Sequence, residues 1–192
     1  MKKIVMSFMI MFVFLFSTNI NAQTYKNEIS FKYSQMTVPQ GAYLFGGVMG
    51  VLFTLGHFTF ENTFMTGTAA VEYTRNVNSW FGYGGTAFAE YITSDSYSVN
   101  SDGEKTPNGK YNMGVVSVMP TAKFTWFDKP HVGMYSRVGV GVGLVLGSDT
   151  QVIPSFQVSP VCVEYGKNDL RGIAEIGLGM QGCITVGLKK SF

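Results

Sequence analysis

The chain offers few places for catalytic chemistry, because it contains only two histidines in 192 residues. A hydrolytic or metal site would need a histidine close to a carboxylate or a nucleophile. His57 could form a hydrolytic loop site with Glu61 and either Thr59 or Thr63, but no spacing singles this set out. His131 falls in a predicted turn. We therefore predict no catalytic residue and no metal site.

Two further features could suggest a cofactor or a disulfide. The segment GVGVG at 139–143 lacks the spacing of GxGxxG and is not followed by Lys-Ser or Lys-Thr, so a valine-alternating strand explains it. Cys162 and Cys183 fall on two predicted strands that are not neighbours, so a disulfide would have to cross the interior. We predict free buried thiols and no cofactor.

The elements that must position these residues are strands, because apolar and polar residues alternate beyond residue 23. In the clearest case, 132–146, valines and leucines alternate with glycines and Arg137. The orientation of 155–165 is not clear from its pattern, and we expect Pro120 and Pro160 at bulges or bends. Eight strands are predicted, at 28–34, 68–74, 81–93, 116–126, 132–146, 155–165, 171–179 and 183–192.

The connections alternate in length. Short polar turns are predicted at 76–79, 128–130 and 167–169. Longer loops are predicted at 35–62, 95–110 and 147–154. An even number of strands joined in this way returns both termini to the short-turn end. The pattern predicts an all-β, eight-stranded antiparallel up-and-down barrel.

Charged residues indicate which face of the barrel points inward. Soluble barrels such as lipocalins also alternate, with their apolar face inside. A charge facing lipid at mid-depth would cost about 2–4 kcal/mol, so in a transmembrane β-barrel the charges must face the lumen. Glycines on the same faces would leave room for them. The predicted lumen charge network consists of Lys32, Glu72, Glu90, Lys123, Arg137 and Glu175.

Aromatic residues gather beside the short turns, which favours the transmembrane arrangement. Outer-membrane barrels carry aromatic girdles at the membrane–water boundary. The predicted girdle consists of Trp80, Phe81, Trp126, Phe127 and Tyr165.

The two ends of the chain carry targeting patterns. Residues 1–22 have a basic start, an apolar run at 4–16 and a small polar end, which predicts a signal peptide cleaved before an outer-membrane β-barrel domain at 23–192. The C-terminal TVGLKKSF predicts an assembly signal that consists of Thr185, Gly187 and Phe192. Lys190 departs from that pattern, where an apolar residue is usual, although its long stem could snorkel.

Composition narrows the possible partners. Charged residues make up 14% of the chain, against about 25% in ordinary soluble domains. Without Lys2 and Lys3 the 14 basic residues become 12, which equals the 12 acidic ones, so the formal net charge is zero. This balance argues against nucleic acid as a partner.

The segments 71–85, 118–143 and 171–192 together resemble the small outer-membrane β-barrel family of Gram-negative bacteria, of the OmpA and OmpX kind. The resemblance implies an eight-stranded barrel without a periplasmic domain, located in the outer membrane. The partners that follow are outer-membrane lipids, lipopolysaccharide and the barrel assembly machinery, which would recognise the C-terminal strand. It implies little about activity, since a fold does not fix a function.

The uncharged segment 41–58 is long enough to span a membrane as a helix. A span there would break the strand count, so we place the segment in the first extracellular loop and predict a short helix over 42–54 that caps the barrel or lies at the interface. We predict a structural or surface-interaction protein that is not an enzyme, with possible partner contacts at loops 35–62 and 95–110. The alternative is a small pore or a lipocalin-like ligand-binding or transport barrel.

Overall fold

The computed structural model describes residues 27–42, 44–45, 58–99, 104–147, 149–167 and 169–192. The predicted signal peptide lies outside these ranges. The described residues form a closed antiparallel barrel in which each strand pairs with the next and the last pairs with the first. This confirms the predicted all-β, eight-stranded, up-and-down fold. The strands are β1 (Asn27–Gln35), β2 (Phe58–Asn76), β3 (Phe81–Val99), β4 (Lys105–Asp128), β5 (Val132–Leu146), β6 (Gln151–Lys167), β7 (Leu170–Gly179) and β8 (Ile184–Ser191).

The pairing of β1 with β8 closes the barrel. Glu28 lies opposite Ser191 and Gln35 lies opposite Ile184, with a continuous register between them. The amide of Asn27 donates to the carbonyl of Phe192 at 3.0 Å, and the amide of Phe192 donates back at 2.8 Å. Closure satisfies the hydrogen-bonding groups of both edge strands. It also brings the start of β1 and the end of β8 together at the short-turn end.

Three strands are longer than the sequence pattern predicts. The predicted loop at 95–110 is wrong for most of its length, because the β3–β4 ladder continues through Asp95 opposite Lys110 to Val99 opposite Lys105. Asn108 is the extra residue of a bulge in this ladder rather than part of a turn. Polar side chains can extend a ladder whose hydrogen bonds come from the backbone, and alternation is not needed where both faces meet water.

Of the two prolines expected at bulges, only one occupies a bulge. Pro160 lies between two register shifts, one in the pairing of β6 with β5 and one in its pairing with β7. At Pro120 there is no bulge in the pairing with β3, because the proline lies opposite Gly85 in an unbroken β3–β4 register. Pro120 is exposed on the outer face.

The bulge at Pro160 explains the unclear pattern of β6. Before the bulge the buried residues have odd numbers, as at Ser155 and Gln157, and after it they have even numbers, as at Cys162 and Glu164. An inserted residue exchanges the two faces of a strand. A single alternation therefore cannot describe this segment.

A short helix follows β1, at residues 38–42, and residues 44–45 are also helical. The predicted span of 42–54 begins too late, and its part beyond residue 45 lies outside the described residues. The helix begins after Thr37 because this residue forms a capping box with Gln40: the Gln40 amide donates to Thr37 Oγ1 at 3.1 Å, and the Thr37 amide donates to Gln40 Oε1 at 3.4 Å. The Met36 amide also donates to Gln40 Oε1, at 3.0 Å. Among the described residues, no helix has the length and apolar character needed to cross a membrane.

Candidate functional site: the charged lumen

The polar face of each strand lines the lumen, because successive side chains of a strand point to opposite sides of the sheet. All six members of the predicted charge network have buried side chains in this interior. The most buried of the six are Arg137 and Glu175, each 1% exposed. Buried charges require partners, since an unpaired charge removed from water is very costly.

Four of these residues form a closed ring of ion pairs across the lumen. The guanidinium of Arg137 uses one terminal nitrogen to contact Glu72 Oε2 at 2.5 Å and the other to contact Glu175 Oε2 at 2.8 Å. Lys32 Nζ contacts Glu72 Oε1 at 3.0 Å and Glu175 Oε1 at 2.7 Å. Two cations and two anions thus alternate around the ring, which joins β1, β2, β5 and β7.

Neutral side chains add hydrogen bonds to the carboxylates of this ion-pair ring. Thr86 Oγ1 donates to Glu72 Oε2 at 2.7 Å, and Tyr135 Oη donates to Glu175 Oε1 at 2.7 Å. The carboxylates therefore accept more bonds than the cations alone supply, as a stable buried charge requires. The ring places paired side chains across the lumen at its level.

A second charged cluster lies nearer the short-turn end. Glu28 accepts from Lys123 at 2.8 Å and from Lys189 at 3.2 Å. Lys189 also pairs with Glu164, which in turn contacts Arg171 at 2.7 Å. The chain of pairs ends at Asp128, 2.7 Å from Arg171. Acids and bases alternate along this turn-end cluster, so it leaves no large net charge in the lumen.

Glycines on the inner faces make room for these long side chains at two close approaches. A Cβ added to Gly187 would lie 2.4 Å from the Phe31 carbonyl oxygen and 3.1 Å from Lys32 Cγ, and one added to Gly133 would lie 2.6 Å from Glu164 Oε1 and 2.8 Å from Glu164 Cγ. The distance of 2.6 Å between the added Gly133 Cβ and Glu164 Oε1 is shorter than non-bonded carbon and oxygen atoms tolerate. Gly133 is therefore a packing partner of the Glu164 side chain.

Glu90 is buried but differs from the other five predicted residues. Among the described residues its hydrogen-bond donors are hydroxyls rather than a cation: Thr37 Oγ1 at 2.9 Å and Thr68 Oγ1 at 3.3 Å. This carboxyl group lies at the loop end and ties the helix start to β2 and β3.

Sequence reasoning missed several residues of the lumen. Glu164 was not identified because the β6 bulge reverses the faces of that strand. Glu28, Lys189 and Arg171 lie near strand ends, where the mid-strand criterion does not reach. Gln181 lies in the connection between β7 and β8, yet it is buried and accepts from Arg137 Nη2 at 2.8 Å. A search for polar residues in the predicted connections between strands could have identified Gln181.

The five predicted girdle residues lie beside the short turns. Trp80 is exposed and its ring lies 5.5 Å from that of Phe81 and 6.4 Å from that of Phe124, centroid to centroid. Trp126 and Phe127 are half-buried around a bulge in β4, and Tyr165 is exposed at the end of β6. These rings occupy one end of the cylinder.

The three predicted residues of the assembly signal lie along β8 and just after it. Thr185 is buried, and its hydroxyl lies 2.7 Å from that of Ser34 across the closing seam. Phe192 is exposed beyond the end of β8. Lys190 points outward and its Nζ lies 3.8 Å from Asp169 Oδ2 at the short-turn end.

The outer surface of the barrel is apolar along β5 to β8. Along β5 to β8 the outward positions carry charge only at Lys167 and Lys190, both beside short turns. Val140, near the middle of β5, is 69% exposed. Exposed aliphatic side chains continue around this half of the barrel: Val138, Val142, Leu144, Val152, Val158, Ile176, Leu178, Ile184, Val186 and Leu188.

Among the described residues, the side chains considered for catalysis or metal binding do not come together in one site. His57 lies outside the described residues, and Thr63 Oγ1 lies 2.9 Å from Ser94 Oγ. Within the described ranges, no group of three or more His, Cys, Asp or Glu side chains is placed to hold a metal ion. Cys162 and Cys183 are free thiols, the first buried and the second half-buried.

No protein-family model and no curated protein matches the chain. Among solved structures, the backbone structure of the Yersinia pestis outer membrane protein Ail in a phospholipid bilayer nanodisc is similar to it, at 14% sequence identity and a TM-score of 0.39. The alignment covers 88% of this chain and 100% of that chain. The fold assignment rests on the strand ladders of this chain itself. The chain is a closed eight-stranded antiparallel β-barrel with an apolar exterior and an ion-paired lumen, the architecture that its resemblance to the small outer-membrane barrels predicts.

Proposed function

We propose that the protein is an integral outer-membrane β-barrel with a structural or surface-interaction role and no catalytic activity. The observation that carries this proposal is the inversion of its faces. Soluble barrels bury apolar side chains and expose polar ones, whereas this barrel buries ion pairs and exposes aliphatic side chains. Soluble monomers rarely expose contiguous apolar patches larger than a few hundred Å². Lipid is the solvent that fits such an exterior.

Membrane fractionation tests this proposal. The full chain, expressed in a Gram-negative host, is expected in the outer-membrane fraction, resistant to extraction with alkaline carbonate. Its band should shift on an electrophoresis gel between unheated and boiled samples, because a closed barrel resists unfolding by detergent. Recovery as a soluble protein with the same band position before and after boiling would contradict the proposal and favour the lipocalin-like alternative.

The pore alternative is disfavoured by the ion-pair ring. Arg137 and Lys32 bridge Glu72 and Glu175 across the lumen, and eight strands leave little space beyond side chains. We therefore expect no sustained ion conductance when the purified barrel is reconstituted into planar lipid bilayers. A steady, voltage-independent conductance from the unmodified protein would favour the pore.

The partners of this barrel follow from its surfaces as proposals. Outer-membrane lipids and lipopolysaccharide would cover the apolar exterior, and the assembly machinery would recognise β8 with Thr185, Gly187 and Phe192. A surface partner would contact the loop end, where β2, β3 and β4 extend beyond β1 and β8. There Phe58 still lies opposite Ser98, whereas the β1–β2 ladder ends at Ser34 opposite Thr68.

Removing the segment 46–57 tests the surface role separately from the barrel. The shortened chain should still assemble and show the gel shift, because the described ladders do not include that segment. Complete failure to assemble would show that the segment belongs to the barrel fold rather than to a surface loop.

A further inference from the structure

The loop end of the lumen differs in chemistry from the rest. On β4, β5 and β6 a group of inward positions here is apolar: Val115 is fully buried, and Met113, Val145 and Ile153 are half-buried beside it. They pack against a cluster that includes Met180 and Met119. The charged network of the lower lumen gives way to a hydrocarbon-like wall at this level.

This wall surrounds a cavity of about 340 Å³. β4, β5 and β6 form its sides, Met180 contributes from the β7–β8 connection, and the short helix borders it through Val38, Pro39 and Ala42. The capping box at Thr37 and Gln40 fixes the start of that helix. The cavity is therefore part of the folded barrel mouth and not a gap between loose loops.

The size of the cavity suits a small ligand. A cavity of about 150 Å³ lined by Leu, Ile and Phe is enough to hold benzene, and ligand pockets generally measure about 300–1,000 Å³. The present volume is at the lower end of that range. It admits one hydrocarbon group of moderate length and excludes a whole membrane lipid.

The lining determines the chemistry of that ligand. Tyr111 is the one lining residue with a polar side-chain group, and it is 41% exposed at the edge of the cavity. The other lining side chains carry no hydrogen-bonding group of their own, so a polar ligand atom buried among them would lose its hydrogen bonds to water. Met113 and Met180 have flexible, polarizable side chains that adapt to different apolar shapes. The buried part of the ligand must therefore be hydrocarbon, and any polar end must lie at the edge near Tyr111.

We propose that this cavity is a binding site for the single alkyl chain of a small amphiphile, such as a medium-chain fatty acid. The alkyl chain would lie against Val115, Val145 and Ile153, and the head group would stay in water beside Tyr111. This site goes beyond the structural and surface role proposed above and needs no residue of the ion-pair ring.

Photolabelling of the barrel in phospholipid nanodiscs tests the site. The probe is decanoic acid with a diazirine at the end of its alkyl chain, and mass spectrometry locates the adducts. Lipid-facing residues such as Leu144 and Val116 provide an internal reference, since the probe also partitions into the bilayer. Saturable adducts are expected at Met113, Val115 or Met180, competed by unlabelled decanoic acid.

A filled cavity provides the matched comparison. Val145→Trp places a bulky ring inside the cavity, whereas Leu144→Trp places the same ring on the lipid-facing side of the same strand. We expect Val145→Trp to lower the cavity adducts about tenfold or more and Leu144→Trp to leave them unchanged. Ala42→Phe fills the cavity from the helix and serves as a second variant if Val145→Trp does not fold.

The outcomes separate this proposal from the barrel proposal, because the gel shift and nanodisc insertion report folding and membrane insertion independently of labelling. Adducts confined to lipid-facing residues would overturn the site, as would cavity adducts unaffected in every folded filling variant. Cavity adducts that arise only after removal of residues 46–57 would also overturn it, since they would show that this apolar segment of the chain occupies the cavity itself.

Discussion

At the scale of single residues, the barrel depends on Arg137. Its guanidinium is the planar bridge between Glu72 and Glu175, and its two terminal nitrogens match two carboxylates at once. Lysine has no such fork, so Lys32 alone would face two carboxylates that it cannot neutralise. The free energy of unfolding should therefore respond strongly to the loss of this side chain.

We predict that Arg137→Met lowers the free energy of unfolding by about 3–5 kcal/mol, the usual cost of breaking a buried ion pair from one side. Urea unfolding of the barrel in lipid vesicles, followed by tryptophan fluorescence, measures this change. Arg75→Met is the matched control, since Arg75 is exposed at the short-turn end, and we expect a change within about 0.5 kcal/mol. Adding Glu175→Gln to Arg137→Met should restore part of the loss. Equal losses for the two arginine variants would contradict the importance of the ring.

Gly133 gives a second test at this scale. A methyl group there would meet the Glu164 carboxylate at 2.6 Å, so Gly133→Ala must displace a side chain that holds Lys189 and Arg171. We predict a loss of about 1–3 kcal/mol in the free energy of unfolding, as for other overpacked sites. Gly172→Ala is the control, because its added carbon would meet only Tyr165 O at 3.6 Å. A harmless Gly133→Ala would show that Glu164 has another position available.

At the scale of elements, the capping box fixes the helix that borders the mouth of the barrel. Thr37 accepts from the Gln40 amide and donates to Glu90. We predict that Thr37→Val weakens the helix start by about 0.5–2 kcal/mol, and hydrogen exchange should show faster exchange of the Gln40 and Gly41 amides. Thr37→Ser keeps the hydroxyl and should keep the protection. Unchanged exchange in Thr37→Val would mean that packing of Pro39 alone holds the helix.

The bulge in β6 decides which residues of that strand enter the lumen. Deleting Pro160 removes the inserted residue, so a continuous strand would place either Gln157 or Glu164 on the lipid side. We predict that the deletion variant fails to assemble and loses its gel shift, whereas Pro160→Ala retains it, because Ala keeps the residue count. A deletion variant with a normal gel shift would show that the hairpin after β6 can absorb the change in register.

The eight strands differ in how well the sequence alone predicts them. Strand number, order and the inward faces of β5 and β8 follow from alternation, because lipid outside and ion pairs inside impose opposite chemistry on the two faces. The extensions of β2 to β4 could not be predicted in this way, since both of their faces meet water beyond the apolar band. The β6 bulge could not be predicted either, because a single inserted residue is recognised only from the pairing partners of its neighbours on β5 and β7.

At the scale of the whole molecule, the lumen has two chemically different halves. The turn half contains the two charged networks, and the loop half contains the apolar cavity bordered by the helix. The four residues of the ion-pair ring were predictable, because mid-strand charges need an interior to neutralise them, whereas only Lys123 of the turn-end cluster was predicted. The cavity was not, because Val145 is an apolar residue on the otherwise polar face of β5, and Met113 precedes the predicted strand 116–126.

A charge placed on the apolar exterior can show whether lipid or water surrounds the whole barrel. Val140 lies near the middle of β5 and points outward with 69% of its surface exposed. If lipid surrounds it, Val140→Arg should lower the free energy of unfolding in vesicles by about 2–4 kcal/mol, the cost of a cation at the bilayer midplane. Val77→Arg adds the same charge at an exposed short turn and should cost less than about 1 kcal/mol. If water surrounded the barrel, both variants would be equally harmless, and the proposed membrane location would be wrong.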